Sequence, residues 1–248
     1  MIRTKLGLLG LCAVVFGVMA MSATSAQAAL SWLVLNSAKT TETELKAELA
    51  GESDGDVSLT TKEVSIKFTV TCSGFELVGV NLEAGGTLTN GGKVKFTGCE
   101  AYETAPLTGA LGCHVHSAGQ TSGNVLTAEG KGTLALHTLT GGGTEVLTKL
   151  EPKTGTTFAT FLTEKCVVPE TNPVNGVLYL KDCEKQTEGP CVNKSLTYAV
   201  KHLVEQGPLT SLWVGSDTAE HLETSLSGGG WIKLGGAHAG LFWRAMDV

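Results

Sequence analysis

Apolar and polar residues alternate along much of the chain, and this alternation predicts β-strands. From Val64 to Cys72 every even position is apolar and every odd position is polar. The same period of two recurs at 78–82, 94–96 and 134–136. Successive side chains of a strand point to opposite faces, so one face of each strand is expected to lie on a core. We expect that core to include Ile66, Phe68, Val70, Val80, Phe96, Leu136 and Leu180.

Glycine-rich turn signals separate these runs at short intervals. They are Asp54-Gly55, Gly85-Gly86, Asn90-Gly91-Gly92, Gly141-Gly142-Gly143, Asn175-Gly176 and Gly228-Gly229-Gly230. Many short strands with such breaks are typical of an antiparallel all-β protein. The sequence therefore predicts a β-sandwich or a flattened barrel, stapled by disulfides.

Two segments depart from this pattern. Thr40 to Ala50 is rich in Glu, Lys, Leu and Ala and predicts a short helix that Thr caps. Ser195 to Gln206 has apolar residues at helical spacing, yet it also alternates at Leu196, Tyr198 and Val200. We favour a strand there.

The N-terminus has the pattern of an export signal. Arg3 and Lys5 precede an uncharged apolar run of 16 residues, and Ala26-Gln27-Ala28 fits a cleavage site before Ala29. We therefore expect residues 1–28 to be a signal peptide, residues 29–248 to be one all-β domain, and the protein to be secreted. The apolar run is shorter than the roughly 20 residues that span a bilayer. No later segment reaches 18 uninterrupted apolar residues, so no membrane span is expected after cleavage. The alternative is an uncleaved N-terminal anchor.

Charge excludes one class of partner. Loss of Arg3 and Lys5 lowers the basic count from 18 to 16 against 24 acidic residues, which moves the formal net charge from -6 to -8. Arg244 is then the single arginine. Nucleic-acid binding depends on clustered Lys and Arg, so we expect no nucleic-acid partner.

The cysteines predict three disulfides. With Cys12 removed in the signal, an even number remains, and none belongs to a C-x-x-C pair. We expect two local bonds, Cys99–Cys113 and Cys183–Cys191, and a long one, Cys72–Cys166. The alternative pairing is Cys72–Cys99, Cys166–Cys183 and Cys113–Cys191.

The preferred pairing rests on a similarity between two segments of the chain, which we call the internal echo. Gly92 to Glu100 and Gly176 to Glu184 share the pattern G-x-(V/L)-x-(F/L)-x-x-C-E, and each is preceded and followed by a further cysteine. If the echo reflects a repeat, residues of about 57–150 and 151–248 form two related halves, and equivalent cysteines should form equivalent bonds or pair with each other. Chance similarity remains the other explanation.

Several short motifs together resemble a known group of proteins. They are Trp32 in an early strand, V-x-I-x-F-x-V-x-C at 64–72, V-x-F-x-G-C at 94–99, Gly112-Cys113, F-x-x-F at 158–161 before Cys166, Leu212-Trp213-Val214-Gly215, and the segment from Gly236 to Trp243. The chain resembles a large group of functionally uncharacterised, secreted, β-rich proteins of soil-dwelling Gram-positive bacteria. The resemblance implies secretion and a β fold, and it implies no catalytic residues.

Candidate chemistry is sparse. In Cys113-His114-Val115-His116 the two histidines share one face of a strand and are weak candidates for metal ligands. A zinc site needs at least a third ligand, and no H-E-x-x-H or similar spacing supplies one. We also find no G-x-S-x-G nucleophile motif. We therefore expect no catalytic residues, no cofactor and no metal, and we expect a protein that is not an enzyme.

Aromatic residues concentrate near the C-terminus, at Trp213, Trp231, Phe242 and Trp243. Exposed on one face, the tryptophans could stack on sugar rings; buried, they close the core. Our first hypothesis is a secreted, non-enzymatic structural protein of the envelope or matrix. The alternative is a carbohydrate or small-ligand binding module that uses Trp213, Trp231 and Trp243, with glycans or cell-surface components as partners. A hydrolase or a protease inhibitor is a weaker option.

Overall fold

The computed structural model describes residues 30–61, 68–103, 110–164, 171–184, 191–215 and 222–246. These residues form β-strands and a single 3₁₀ turn, Gly236–His238, so the protein is all-β as predicted. The expected signal peptide, Ile66 and Cys166 lie outside the described residues. The strands are β1 (Ser31–Leu35), β2 (Glu42–Thr43), β3 (Ala47–Thr61), β4 (Phe68–Val78), β5 (Asn81–Glu83), β6 (Thr87–Glu103), β7 (Ala110–His116), β8 (Val125–Leu126), β9 (Gly130–Thr138), β10 (Thr144–Pro152), β11 (Thr157–Glu164), β12 (Thr171–Glu184), β13 (Val192–Asn193), β14 (Lys201–Gln206), β15 (Ser211–Val214), β16 (Leu222–Leu234) and β17 (Trp243–Met246).

The main sheet closes on itself into a barrel. Its strand order is β10-β9-β6-β4-β3-β16-β14-β12-β11-β7, and the pairings β10–β12 and β6–β7 close it. The four strands β3, β6, β12 and β16 are each 13 to 17 residues long and contribute to both ends of the wall. Shorter strands fill the gaps between them: β5, β9, β10 and β14 toward one end, and β7, β11 and β15 toward the other. The flattened-barrel alternative is therefore confirmed.

A second, three-stranded sheet closes one end of the barrel. We call the strands β17, β1 and β2, which pair in that order, the end sheet. Trp32 and Val34 of β1 and Trp243 of β17 are buried against barrel residues that include Leu49 and Leu234. The opposite end of the barrel holds a separate core cluster, in which Phe68 and Phe161 stack with ring centroids 5.9 Å apart.

Several predicted turns are irregularities inside long strands. Gly85-Gly86 and Gly141 to Gly143 do lie in turns. Asp54-Gly55 and Gly228 to Gly230, in contrast, face each other in β3 and β16, where the register shifts between Ser227 and Gly229. Gly228 has φ +93°, and a Cβ there would lie 2.2 Å from the Asp56 carbonyl oxygen. Bulges of this kind bend a strand without ending it, which lets a long wall curve into a barrel.

The same correction applies to the other two signals. Asn90-Gly91-Gly92 lies within β6, at the register shift between Leu88 and Gly92. Asn175-Gly176 lies within β12, opposite the shift between Thr157 and Ala159. Both segments continue the strand on each side, so β6 and β12 are longer than the turn signals predicted.

The helix predicted for Thr40 to Ala50 is wrong. Ala47 and Leu49 are buried while Glu48 between them is exposed, so the segment alternates and enters β3. Burial of Ala47 and Leu49 beneath the end sheet therefore outweighs the helical propensity of the composition. The preferred strand in Ser195 to Gln206 is confirmed for its second half, Lys201–Gln206.

The predicted core is confirmed in part. Phe68 and Val70 are buried, and Val80, Phe96 and Leu180 are partly buried. Leu136, however, is 41% exposed, so its assignment to the core is wrong. The reason is that β9 pairs with β6 only up to Thr133, so Leu136 lies past the end of that neighbour, although its partner on β10, Val146, is buried.

The disulfides correct the predicted pairing. Cys183–Cys191 is present as predicted, but Cys99 bonds Cys72 and not Cys113, which also excludes Cys72–Cys166. Cys72 lies directly opposite Cys99 on the neighbouring strand, whereas Cys113 lies opposite Ala101. Cys113 is itself disulfide-bonded, and its partner lies outside the described residues.

The pairing also bears on the internal echo. Cys99 bonds a cysteine that precedes it and Cys183 bonds one that follows it, so the equivalent cysteines do not form equivalent bonds. Both copies of the echo do lie on long strands, β6 and β12. Strand β10 crosses the proposed boundary at residue 150, and the strands of both halves build one wall.

No helix in the described part of the chain is long and apolar enough to cross a membrane.

Candidate functional site

The barrel encloses a cavity of about 240 Å³ between its two core clusters. Apolar side chains from strands all around the wall form most of its surface, among them Leu59, Phe96, Phe161, Leu178 and Leu180. An apolar cavity of roughly 150 Å³ is already large enough to stay dry and to bind a molecule such as benzene. The interior of this barrel therefore has room for a small apolar molecule.

Three charged residues contribute to the lining on one side of the cavity. Lys93, Lys131 and Glu151 line the cavity, and each is partly or fully exposed to solvent. Lys131 Nζ lies 3.1 Å from Glu151 Oε1. The hydrogen bonds from Lys149 and Lys131 hold the pKa of the Glu151 carboxyl below its usual value of 4.5. Lys131 and Glu151 alternate along β9 and β10 with the inward-facing Gly132 and Leu150, so their side chains point to water on the outer face of the wall. We call this part of the wall the rim.

The far side of the cavity is polar but buried. Asp182 on β12 and His202 on β14 both line it and are only 9% and 4% exposed. Asp182 Oδ2 lies 2.5 Å from His202 Nδ1, and His202 Nε2 lies 2.9 Å from the Trp243 carbonyl oxygen. The His202 ring meets the Trp243 ring edge-on, with centroids 4.3 Å apart, and Trp243 packs on Trp32 at 5.4 Å. We call Asp182, His202, Trp243 and Trp32 the deep cluster.

The deep cluster holds polar atoms without a partner. Among the described residues, Asp182 Oδ1 and the indole nitrogens of Trp32 and Trp243 are buried and make no hydrogen bond. A buried polar group without a partner costs about 1–3 kcal/mol, and most proteins avoid it. Among the described residues seven buried side-chain atoms lack a partner, and three of them belong to this one cluster, whose residues line the cavity.

The strand register places the rim and the deep cluster at different heights. Leu150, which precedes Glu151 of the rim, lies opposite Leu178 on β12, and Asp182 follows Leu178 by four residues. At about 3.3 Å per residue this spacing is roughly 13 Å. An elongated molecule of about this length can thus extend from the height of the rim to the deep cluster.

In the described part of the chain, the histidine pair on β7 does not belong to a group of residues that could hold a metal ion. His114 and His116 do share the outer face of the strand, because Cys113 and Val115 between and beside them are buried. Within the described residues, one group of three potential ligands lies close enough to hold an ion, and it contains neither histidine. That group is Cys183, Cys191 and Glu205, and its two sulfur atoms are joined in a disulfide.

The tryptophans named from the sequence lie in different places. Trp243 is 3% exposed and belongs to the deep cluster. Trp213 lies opposite Glu223 on β16, whereas Trp231 lies eight residues further along that strand, or roughly 25 Å away. The three residues therefore do not build one stacking surface.

Trp231 is engaged by charged neighbours on the outside of the wall. The Lys201 ammonium lies 4.2 Å from its ring centroid, and its indole donates to Asp54 Oδ1 at 3.2 Å. Glu52 beside it pairs with Lys233 at 2.7 Å. The acidic segment that contains Glu52 and Asp54 is thus paired with side chains of β14 and β16.

Sequence reasoning missed Asp182 and His202 as site residues, although a signal was present. Asp182 follows Leu178 and Leu180 at the same period of two, so a carboxylate stands in a position that the pattern assigns to the core. His202 and Val204 likewise share the inner face of β14. A charged residue in register with buried leucines is an indication of a functional or structural pairing.

No protein-family model, curated protein or solved structure gives a significant match to this chain.

Proposed function

We propose that this protein binds a small, largely apolar molecule inside its barrel and does not act as an enzyme. The observation that carries the proposal is the cavity of about 240 Å³ with its apolar wall. It favours the small-ligand binding module among the functions that the sequence suggests, with Trp243 in the site and Trp213 and Trp231 outside it. A purely structural protein of the envelope has no need for an internal cavity, because each unfilled space costs stability.

We propose further that the protein does this outside the cytoplasm. The N-terminal pattern of residues 1–28 supports export, and the disulfides Cys72–Cys99 and Cys183–Cys191 are compatible with an oxidising compartment. A secreted binding protein with a closed interior would carry or sequester a molecule that is poorly soluble in water.

The test is calorimetric titration with 1-nonanol. Burial of a methylene group is worth about 0.8 kcal/mol, so eight such groups contribute roughly 6 kcal/mol and a Kd on the order of 10–100 µM. We expect binding of one nonanol per chain. A complete lack of heat and of any thermal stabilisation at millimolar nonanol contradicts the proposal.

A filled cavity supplies the matched control. Thr148 lines the cavity and lies opposite Leu180, between the heights of Leu178 and Asp182, so Thr148→Phe places a phenyl ring where the ligand would lie. Thr138 is exposed, and Thr138→Phe makes the same chemical change on the surface. The first variant should lose nonanol binding and the second should keep it, with the fold of both checked by circular dichroism.

A further inference from the structure

The hydrogen-bond geometry of the deep cluster fixes what each unpartnered atom requires. The Trp243 carbonyl oxygen can only accept, so His202 Nε2 carries a hydrogen and donates it. The remaining proton of the pair then lies between His202 Nδ1 and Asp182 Oδ2. Whichever of these two atoms holds it, Asp182 Oδ1 carries no hydrogen and is an acceptor that requires a donor.

The two indoles have the opposite requirement. An indole nitrogen only donates, so Trp32 Nε1 and Trp243 Nε1 each need an acceptor. The cluster therefore presents one acceptor and two donors, all buried, at the deep end of an apolar cavity. A group that satisfies both kinds of atom must donate one hydrogen and accept at least one.

We infer that the ligand is an apolar alcohol, with its hydroxyl group at the deep cluster and its hydrocarbon body in the cavity. This inference rests on the proposed function and names the class of ligand for that site. A hydroxyl donates one hydrogen, to Asp182 Oδ1, and its lone pairs accept from an indole. These hydrogen bonds contribute more to affinity in a buried site, because a ligand that does not form them leaves the protein's own polar atoms without a partner.

Other polar end groups fit less well. An ionised carboxylate has no hydrogen to donate and sets an oxygen against Asp182 Oδ1. An alkylammonium ion donates but cannot accept from the indoles, and it adds a charge that is costly to bury. An ether accepts but does not donate. Of these groups, the hydroxyl is the one that both donates and accepts a hydrogen bond without burying a charge.

Two isomers test this directly. 1-Nonanol and 1-methoxyoctane have the same atoms and nearly the same length, but only the alcohol can donate a hydrogen bond. We expect the protein to bind the alcohol about five- to tenfold more tightly, which is the worth of one hydrogen bond. Nonanoate at pH 7.5 should bind more weakly than the alcohol by at least about tenfold.

A double variant assigns the preference to the cluster. Asp182→Leu with His202→Phe removes the acceptor and should make the alcohol and the ether bind equally. His137→Phe is the matched control, because His137 Nδ1 lies 2.9 Å from the Glu145 carboxylate but neither residue lines the cavity. This control variant should keep the preference for the alcohol.

The outcomes separate the inference from the proposed function. Equal binding of both isomers by the unaltered protein overturns the inference but not the proposed function. A preference for the alcohol that survives in the folded double variant has the same consequence. Binding of neither isomer overturns both. If the double variant does not fold, the isomer comparison in the unaltered protein still decides.

Discussion

Removal of the His202 side chain should destabilise the protein strongly, whereas replacement of the whole Asp182–His202 pair should not. His202→Ala deletes the 2.5 Å contact to Asp182 and the bond to the Trp243 carbonyl, and it leaves a buried carboxyl group with neither oxygen paired. Removing one partner of a buried pair costs about 3–5 kcal/mol. Exposed pairs cost about 1 kcal/mol or less.

Replacement of both residues should change the free energy of unfolding much less than His202→Ala does. Asp182→Leu with His202→Phe puts apolar side chains of similar size into an apolar cavity wall, and such replacements of buried ion pairs are often neutral or stabilising. The Trp243 carbonyl loses the bond from His202 but keeps the one from the Ala199 N–H, so this loss costs no more than about 1 kcal/mol. We therefore expect the double variant to be at least about 2 kcal/mol more stable than His202→Ala.

Equilibrium urea unfolding measures both variants. His202→Ala should also lower Tm by roughly 6–20 °C, since 1 kcal/mol corresponds to about 2–4 °C for a chain of this size. His137→Ala is the control, because Glu145 keeps its 2.9 Å contact to Lys181, and it should cost no more than about 1 kcal/mol. A loss below about 1 kcal/mol for His202→Ala, or a double variant no more stable than the single one, would refute this reasoning.

Two further predictions concern the wall of the barrel. The Cys72–Cys99 bond closes 27 residues and Cys183–Cys191 closes 8, so by loop entropy their loss should cost about 3.5 and about 2.5 kcal/mol. Urea unfolding of the two double alanine variants measures this, and an equal or reversed order would contradict it. Burial raises the pKa of the Glu145 carboxyl, but Lys181 and His137 outweigh it and hold that pKa below its usual value of 4.5. A lowered pKa stabilises the fold above the unfolded value, and this stability is lost as the pH falls through the folded value. Glu145→Gln should therefore flatten the loss of stability below about pH 4.5 in pH-dependent thermal melts; an unchanged acid limb would show that Glu145 does not contribute to it.

The alternation of side chains was enough to predict the fold class and much of the wall. Phe68 and Val70 are buried as expected because a period of two reports directly which face of a strand meets the core. The pattern cannot report where a sheet ends, so it placed Leu136 in the core although β9 extends beyond its neighbour there.

Glycines were ambiguous for a physical reason. A glycine with a positive φ fits a tight turn and a bulge equally well. The local sequence around Gly55 and Gly228, which both have a positive φ, therefore does not distinguish a turn from a bulge. The choice between the two depends on whether the flanking segments pair with the same partner strands on both sides. That information is long-range, and the same limitation applies to the pairing of Cys72 with Cys99 across β4 and β6.

The candidate site was the least predictable part. Asp182 and His202 are 20 residues apart, and Trp32 and Trp243 come from the two ends of the described chain. Closure of the barrel and packing of the end sheet bring these four residues together. The sequence did contain one local clue, a carboxylate in register with Leu178 and Leu180, because a charge in a core position requires a partner.

A crystal structure of the protein grown with saturating 1-nonanol tests the central claim most directly. We predict density for one nonanol inside the barrel, with its oxygen within hydrogen-bond distance of Asp182 Oδ1 and its chain directed toward Lys131 and Glu151 at the rim. A barrel whose interior is filled by its own side chains, or nonanol bound only on the outer surface, would contradict the account.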